Sequence, residues 1–360
     1  MKWHPQQELA LKLITDWLKD PNKQVFKLFG FAGTGKTTLA KEIATLRKKT
    51  LFGAFSGKAA QVMRSKGCTD ALTIHSLIYK LEKEPTAEDP NPSFILNHDS
   101  KVKKSDLVII DECSMVDDIM GQDLESFGVK ILVLGDPFQL PPLNGQGYFT
   151  SGEPDFMLTE IHRQALDNPI IALSLAVREN IRLEHGVYGD SKIIKFDDMT
   201  DDDIMLNDQI ITGKIVSKNM LNKYTRQLLD YTAYYPMIGE KVICLKNDRE
   251  EGLFNGEMWS VLESKLRGKS VIMNLVDFEG NQKSVKVRQE FFDGTDPIPF
   301  EIKRISNEFD FGYALTCHKS QGSQWSDVLI LDESGVFREN RNRWLYTAIT
   351  RAANKVTILR

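Results

Sequence analysis

The chain has 360 residues, enough for two domains rather than one core. Its 41% hydrophobic and 27% charged content is that of a soluble globular protein, no apolar run is long enough to span a bilayer, and the start MKWHPQQELA has no signal-peptide core. A net charge of −4 argues only weakly against a nucleic-acid partner, because the local field in a groove decides such binding.

The cysteines Cys68, Cys113, Cys244 and Cys317 form no CxxC pair, which argues against a structural zinc or a disulfide framework and fits a reducing cytoplasm. Only six histidines are present and none is paired at ligand spacing.

Taken in chain order, apolar residues at Leu9, Leu13 and Trp17 and at Ala10, Ile14 and Leu18 predict a first helix with Pro5 near its first turn. Short apolar runs at 25–29, 51–55, 107–110 and 131–134 read as buried parallel strands, with helical stretches such as 37–46 between them. Residues 1–150 therefore read as a doubly wound α/β lobe, with a proline-containing interruption at 82–103 as a short pin-like insert. Strand and helix signals resume at 209–212, 220–229, 241–245, 328–331 and 356–359, predicting a second α/β lobe from 151–261 and 312–360. Between those parts, 262–311 alternates with period two and reads as a small β-rich insert.

Gly30-Phe31-Ala32-Gly33-Thr34-Gly35-Lys36-Thr37 matches G-x-x-x-x-G-K-[ST], with a strand entering and a helix leaving. Backbone N–H groups of such a loop curl around phosphate oxygens, Lys36 adds charge at the β/γ-phosphates, and Thr37 sets its hydroxyl on Mg²⁺. Gly30, Ala32, Gly33, Thr34, Gly35, Lys36, Thr37 and Thr38 are thus the expected nucleotide contacts, with ATP and Mg²⁺ as cofactors. The strand at 107–110 ends in Asp111-Glu112, at the sheet edge where ligands bind. Asp111 suits Mg²⁺, and Glu112 suits activation of an attacking water. Gly135-Asp136-Pro137-Phe138-Gln139-Leu140-Pro141-Pro142 leaves a third strand, and Gln139 suits bonding to both water and γ-phosphate.

In order and spacing these segments resemble superfamily-1 DNA helicases, specifically the RecD-like and Dda-like group, over nearly the whole chain. The resemblance implies two RecA-like P-loop NTPase lobes, parallel sheets flanked by helices, with an SH3-like insert in the second lobe and a pin in the first. Trp3-His4-Pro5-Gln6-Gln7 with Ala10 is similar to the Q motif, implying that Gln7 reads adenine. Leu158-Thr159-Glu160-Ile161-His162-Arg163 is similar to motif IV, implying that Arg163 reaches the γ-phosphate. Thr316-Cys317-His318-Lys319-Ser320-Gln321-Gly322-Ser323 is similar to motif V, with Gln321 and Gly322 counted at the nucleotide. Tyr346-Thr347-Ala348-Ile349-Thr350-Arg351-Ala352 is similar to motif VI, implying an arginine finger at Arg351.

The same resemblance implies contacts to single-stranded DNA from Phe55, Ser56 and Lys58, from Thr73 and His75, and from Thr316, His318 and Lys319. It makes Phe94 the candidate strand-separating tip, and packing of Phe94 under its own loop is the equal alternative. The expected activity is ATP-dependent, 5′-to-3′ unwinding of forked duplex by a monomer, with replication or recombination proteins as further partners. An ATP-driven translocase that remodels protein–DNA complexes uses the same residues. A non-hydrolysing nucleotide gate is disfavoured because Glu112, Gln139, Arg163 and Arg351 are all present, and no acidic cluster suggests a nuclease.

Overall fold

The computed structural model describes residues 3–83, 93–141, 147–160, 168–248, 251–295 and 297–360. Three large sheets and one two-stranded hairpin organise them. Lobe one carries β1 (Val25–Gly30), β2 (Thr50–Ala54), β3 (Leu72–Thr73), the hairpin β4 (Tyr79–Lys83) and β5 (Ser93–Leu96), then β6 (Leu107–Asp111), β7 (Lys130–Gly135) and β8 (Phe156–Leu158). Its six-stranded sheet has order β3-β2-β6-β7-β1-β8, every pairing parallel. Helices α1 (Pro5–Trp17), α2 (Lys36–Ala44), α3 (Gly57–Ser65), α4 (Ile74–Ile78) and α5 (Asp118–Glu125) connect and cover it.

Strand residues alternate between two cores because successive side chains leave opposite faces of a sheet. Leu28, Leu107, Ile109, Leu132 and Leu134 pack with Ala10 and Ile14 of α1 and Leu39 and Ile43 of α2. Phe29, Val108, Ile110, Ile131 and Val133 pack with Ile74 and Leu77 of α4 and Leu124 of α5. Both faces are therefore buried, which is why these strands read as unbroken apolar runs.

Lobe two begins with α6 (Pro169–Arg178) and continues through β9 (Gly186–Tyr188), β10 (Ser191–Ile194), α7 (Asp201–Met205), β11 (Gln209–Thr212) and α8 (Ile215–Leu228). A five-stranded antiparallel sheet follows: β12 (Lys241–Cys244), β13 (Met258–Arg267), β14 (Ser270–Val276), β15 (Gln282–Arg288) and, after α9 (Phe300–Arg304), β16 (Phe309–Phe311). The chain then returns to lobe two with β17 (Ala314–Thr316), α10 (Cys317–Ser320), β18 (Trp325–Leu331), α11 (Arg341–Ile349) and β19 (Ala352–Leu359). The lobe-two sheet has order β17-β11-β18-β19-β10-β9, parallel except for β9.

Two boundaries differ from expectation. Strand β8 lies beyond residue 150 yet pairs with β1, so lobe one extends through Leu158. Strand β12 was expected in lobe two but pairs with β13 and β16 in the antiparallel sheet, which thus starts well before residue 262. A buried ion pair joins that sheet to α8: Arg226 Nε and Nη2 donate to the two oxygens of Glu240 at 2.7 and 2.9 Å. Tyr313 Oη and Met237 N–H donate to the same carboxylate, so it is fully satisfied away from water.

Candidate nucleotide site and nucleic-acid interface

The phosphate loop leaves β1 and enters α2 at the carboxyl edge of the lobe-one sheet. Gly30 cannot carry a Cβ, which would sit 2.8 Å from that of Leu158, and Gly35 (φ +83°) would meet the Gln7 amide at 2.7 Å. Lys36 Nζ donates to the carbonyls of Gly30 (2.6 Å) and Phe31 (3.1 Å). Thr37 Oγ1 donates to Asp111 Oδ2 at 3.2 Å, and Asp111 Oδ1 accepts the Glu112 N–H at 2.9 Å. Burial and then the neighbouring Glu112 charge push the Asp111 carboxyl above its ordinary range, while Lys36 and Thr37 pull the other way. Glu112 turns off the strand with φ +53°, a left-handed conformation, and lines the cleft.

Lys36, Thr37, Asp111, Glu112 and Gln139 of lobe one line one cleft with Gly322, Ser323, Thr350 and Arg351 of lobe two. Gln139 Oε1 is buried without a hydrogen-bond partner among the described residues. Arg351 is buried and held by its own lobe: Nε donates to Thr347 O, Nη1 to Ser323 O and Nη2 to Thr350 Oγ1. Three bonds leave about two of a guanidinium's five N–H groups for the cleft. Arg163 lies outside the described residues.

Thr38 follows Thr37 in α2. Gln321 donates through Nε2 to the Leu140 carbonyl at 2.9 Å, while Gly322 (φ +75°) and Ser323 line the cleft. Gln7 is buried on the phosphate loop, donating to Thr34 O at 3.2 Å. Its neighbour Gln6, part of the same motif but given no role from the sequence, clips the end of lobe one by accepting the N–H groups of Thr159 and Glu160.

The lobes also meet through the connector after β7. Tyr346 Oη donates to Asp136 Oδ2 at 2.5 Å and accepts the Ala32 N–H at 3.2 Å. Leu140 lies in the lobe-two core, its N–H bonded to Thr347 Oγ1.

The residues expected at DNA lie along the strand ends of both lobes. Ser56, Thr73 and Thr316 are N-caps of α3, α4 and α10, each accepting an N–H of its own helix. Their hydroxyls therefore hold helix N-termini in place, an arrangement suited to phosphate. Phe55 is partly buried in the lobe-one core. His75 packs against Tyr79 and against Phe94, whose ring meets it edge-on at 4.4 Å.

Phe94 is not at the hairpin apex. It lies within β5 and pairs with Leu81 of β4, and residues 84–92 between the two strands lie outside the described residues. Lys58 points under the β-sheet insert, bonded to Gln61 Oε1 and 4.6 Å from the Phe278 ring centre, and burial lowers its pKa. Burial likewise lowers those of His318 and Lys319, and Lys319 Nζ is bonded to Asn255 Oδ1. Phe254 fits against Gly57, where a Cβ would come within 2.5 Å. No described helix is long and apolar enough to cross a membrane.

Known proteins carry the same pattern. Residues 5–198 match the model of an AAA domain, and 311–359 match a UvrD-like helicase C-terminal domain. The chain is 28% identical over 362 residues to an ATP-dependent RecD2 DNA helicase of Deinococcus radiodurans, covering 91% of this chain and 46% of the relative. It is 22% identical to an ATP-dependent DNA helicase Pif1 of Campylobacter jejuni, covering 92% and 87% of the two chains. The chain thus spans under half the length of that RecD2 relative. A Pif1 helicase from Bacteroides in complex with ADP-AlF3 and ssDNA has the same fold, with TM-score 0.59, 18% identity and coverage of 99% and 92%. A structure described as DNA unwinding at forked dsDNA by two coordinating Pif1 helicases aligns with TM-score 0.62, 19% identity and coverage of 99% and 92%. With the AAA-domain model matching more than half its length, this chain belongs to the AAA-domain family, and the match to a UvrD-like helicase C-terminal domain follows in order.

Proposed function

We propose that the protein is an ATP-dependent DNA helicase that moves 5′-to-3′ on single-stranded DNA. The observation that carries this reading is the composite cleft: Lys36, Thr37, Asp111 and Glu112 come from one lobe and Arg351 from the other. The named activities of the RecD2 and Pif1 relatives support DNA as the track.

The donor set fits Mg²⁺, since Thr37 Oγ1 and Asp111 Oδ2 lie 3.2 Å apart and this cation keeps several waters beside one or two protein ligands. When bound, it neutralises phosphate charge. Lys36 exchanges its loop carbonyls for phosphate oxygens, Glu112 takes a proton from the attacking water, and the unpartnered Gln139 Oε1 orients that water. Arg351, with Arg163, stabilises charge only when the lobes are closed. Closure and reopening move the helix N-termini capped by Ser56 and Thr73 relative to that capped by Thr316, so grip on the strand alternates.

The test is unwinding of 5′-tailed and 3′-tailed duplexes with ATP. Activity on the 5′ tail alone supports the reading, and activity on the 3′ tail alone overturns the direction. The packing of Phe94 against His75 favours a second reading, a translocase with little unwinding. On the helicase reading Phe94→Ala spares DNA-stimulated ATP hydrolysis and reduces unwinding. Equal loss of both removes Phe94 from strand separation.

A further inference from the structure

The phosphate loop is gripped by lobe two at the two residues that follow Gly30. The Arg178 guanidinium of α6 lies 3.6 Å from the Phe31 ring centre, and Tyr346 of α11 accepts the Ala32 N–H. The tyrosine hydroxyl donates its own hydrogen bond to Asp136 Oδ2, and Asp136 Oδ1 accepts the Phe138 N–H one residue before Gln139. A continuous chain of hydrogen bonds therefore runs from the phosphate loop, through a lobe-two side chain, to the connector that carries Gln139.

We propose that Tyr346 is a positioning residue for hydrolysis, setting the phosphate loop and the Gln139 connector in register only while the lobes are closed. The proposal rests on the reading of the cleft as an ATP hydrolysis site.

The geometry favours a catalytic consequence over a packing one. The Tyr346 ring has its own packing partner in Phe138, met edge-on at 5.2 Å, so the ring is seated without the hydroxyl. The hydroxyl is bonded entirely to lobe-one groups, and Asp136 is 1% exposed. Opening the lobes withdraws the hydroxyl with α11 and strips both groups of it at once. Bonds to a buried carboxylate are among the strong ones, so the chain adds a preference for closure that is absent from the open state. The phosphate loop, Lys36 and Thr37 all belong to lobe one, so nucleotide binding is expected to be spared when the chain is cut.

The experiment compares wild type, Tyr346→Phe, Asp136→Asn and the double variant. It measures steady-state ATP hydrolysis at saturating single-stranded DNA, binding of a fluorescent ADP, and melting temperature. The expected result is a fall of about tenfold or more in kcat for Tyr346→Phe, as for loss of one bond to a charged group. The KM for ATP and the ADP affinity stay near wild type, and the melting temperature falls only slightly, because water answers the Ala32 N–H and Asp136 once the lobes open. The double variant is no slower than the worse single variant, because both cut one chain. Wild-type turnover with kcat unchanged in Tyr346→Phe overturns the proposal alone, as do fully additive effects. A fall in melting temperature that tracks the fall in kcat assigns the hydroxyl to packing and overturns it too. Absence of ATP hydrolysis in the wild type overturns the cleft reading and this proposal with it.

Discussion

Leu140 of the lobe-one connector donates its backbone N–H to Thr347 Oγ1 of α11 at 2.9 Å, while its side chain sits in the lobe-two core. The bond spans the seam in a fully buried setting, so it couples the position of Gln139, one residue earlier, to the body of lobe two. Thr347→Val keeps the shape and removes the acceptor, leaving a buried N–H unpaired. The cost is about 1–3 kcal/mol. Denaturant unfolding should show that loss, and DNA-stimulated ATP hydrolysis should fall with it. A variant equal to wild type in both would mean that the connector is not held through this contact.

The docking of the β-sheet insert on lobe one is expected to depend on pH. Glu257 faces Lys58 and Arg64, with Asp277 also near, and burial pushes its carboxyl up to about 7. A folded pKa above the ordinary carboxylate value means that the native state holds more protons than the unfolded state between the two. Stability therefore falls as pH rises from about 4.5 towards 7. Glu257→Gln removes the titration. Its melting temperature should exceed that of wild type at pH 8 by more than at pH 5. The same difference at both values would show that Glu257 does not titrate in this window.

Glu240 is wholly buried and answered by Arg226, Tyr313 and the Met237 N–H. Removing one partner of such a pair strands the other charge. Glu240→Ala is expected to cost about 3–5 kcal/mol, read by chemical denaturation. Glu263 pairs with exposed Lys265 on the same sheet, and its truncation should leave the denaturation midpoint near that of wild type.

What the sequence revealed and what it concealed divide by range. The turn from Val25–Gly30 into α2 was legible because strand, glycines and helix lie within about twenty residues, and the two α/β lobes because buried strands in parallel sheets read as unbroken apolar runs. Strand β12 was assigned to the wrong sheet because a short run such as Val242-Ile243-Cys244 looks the same whether its neighbours are parallel or antiparallel; only the pairing with Trp259 and Phe311 decides. Gln6 and Tyr346 went unnoticed as links because their partners are 153 and 210 residues away. Phe94 was singled out by the family resemblance, but its contact with His75 follows from the hairpin register.

The central claim is that chemistry in the cleft needs a group from the second lobe. Arg351→Ala, assayed for ATP hydrolysis at saturating single-stranded DNA alongside nucleotide binding, tests it most directly. The account predicts turnover lower by roughly 10³–10⁵-fold, the range for removal of an arginine finger, with nucleotide still bound by Lys36 and the phosphate loop. Turnover at the wild-type rate would contradict it, since hydrolysis would then proceed within lobe one and would not require the two halves to close.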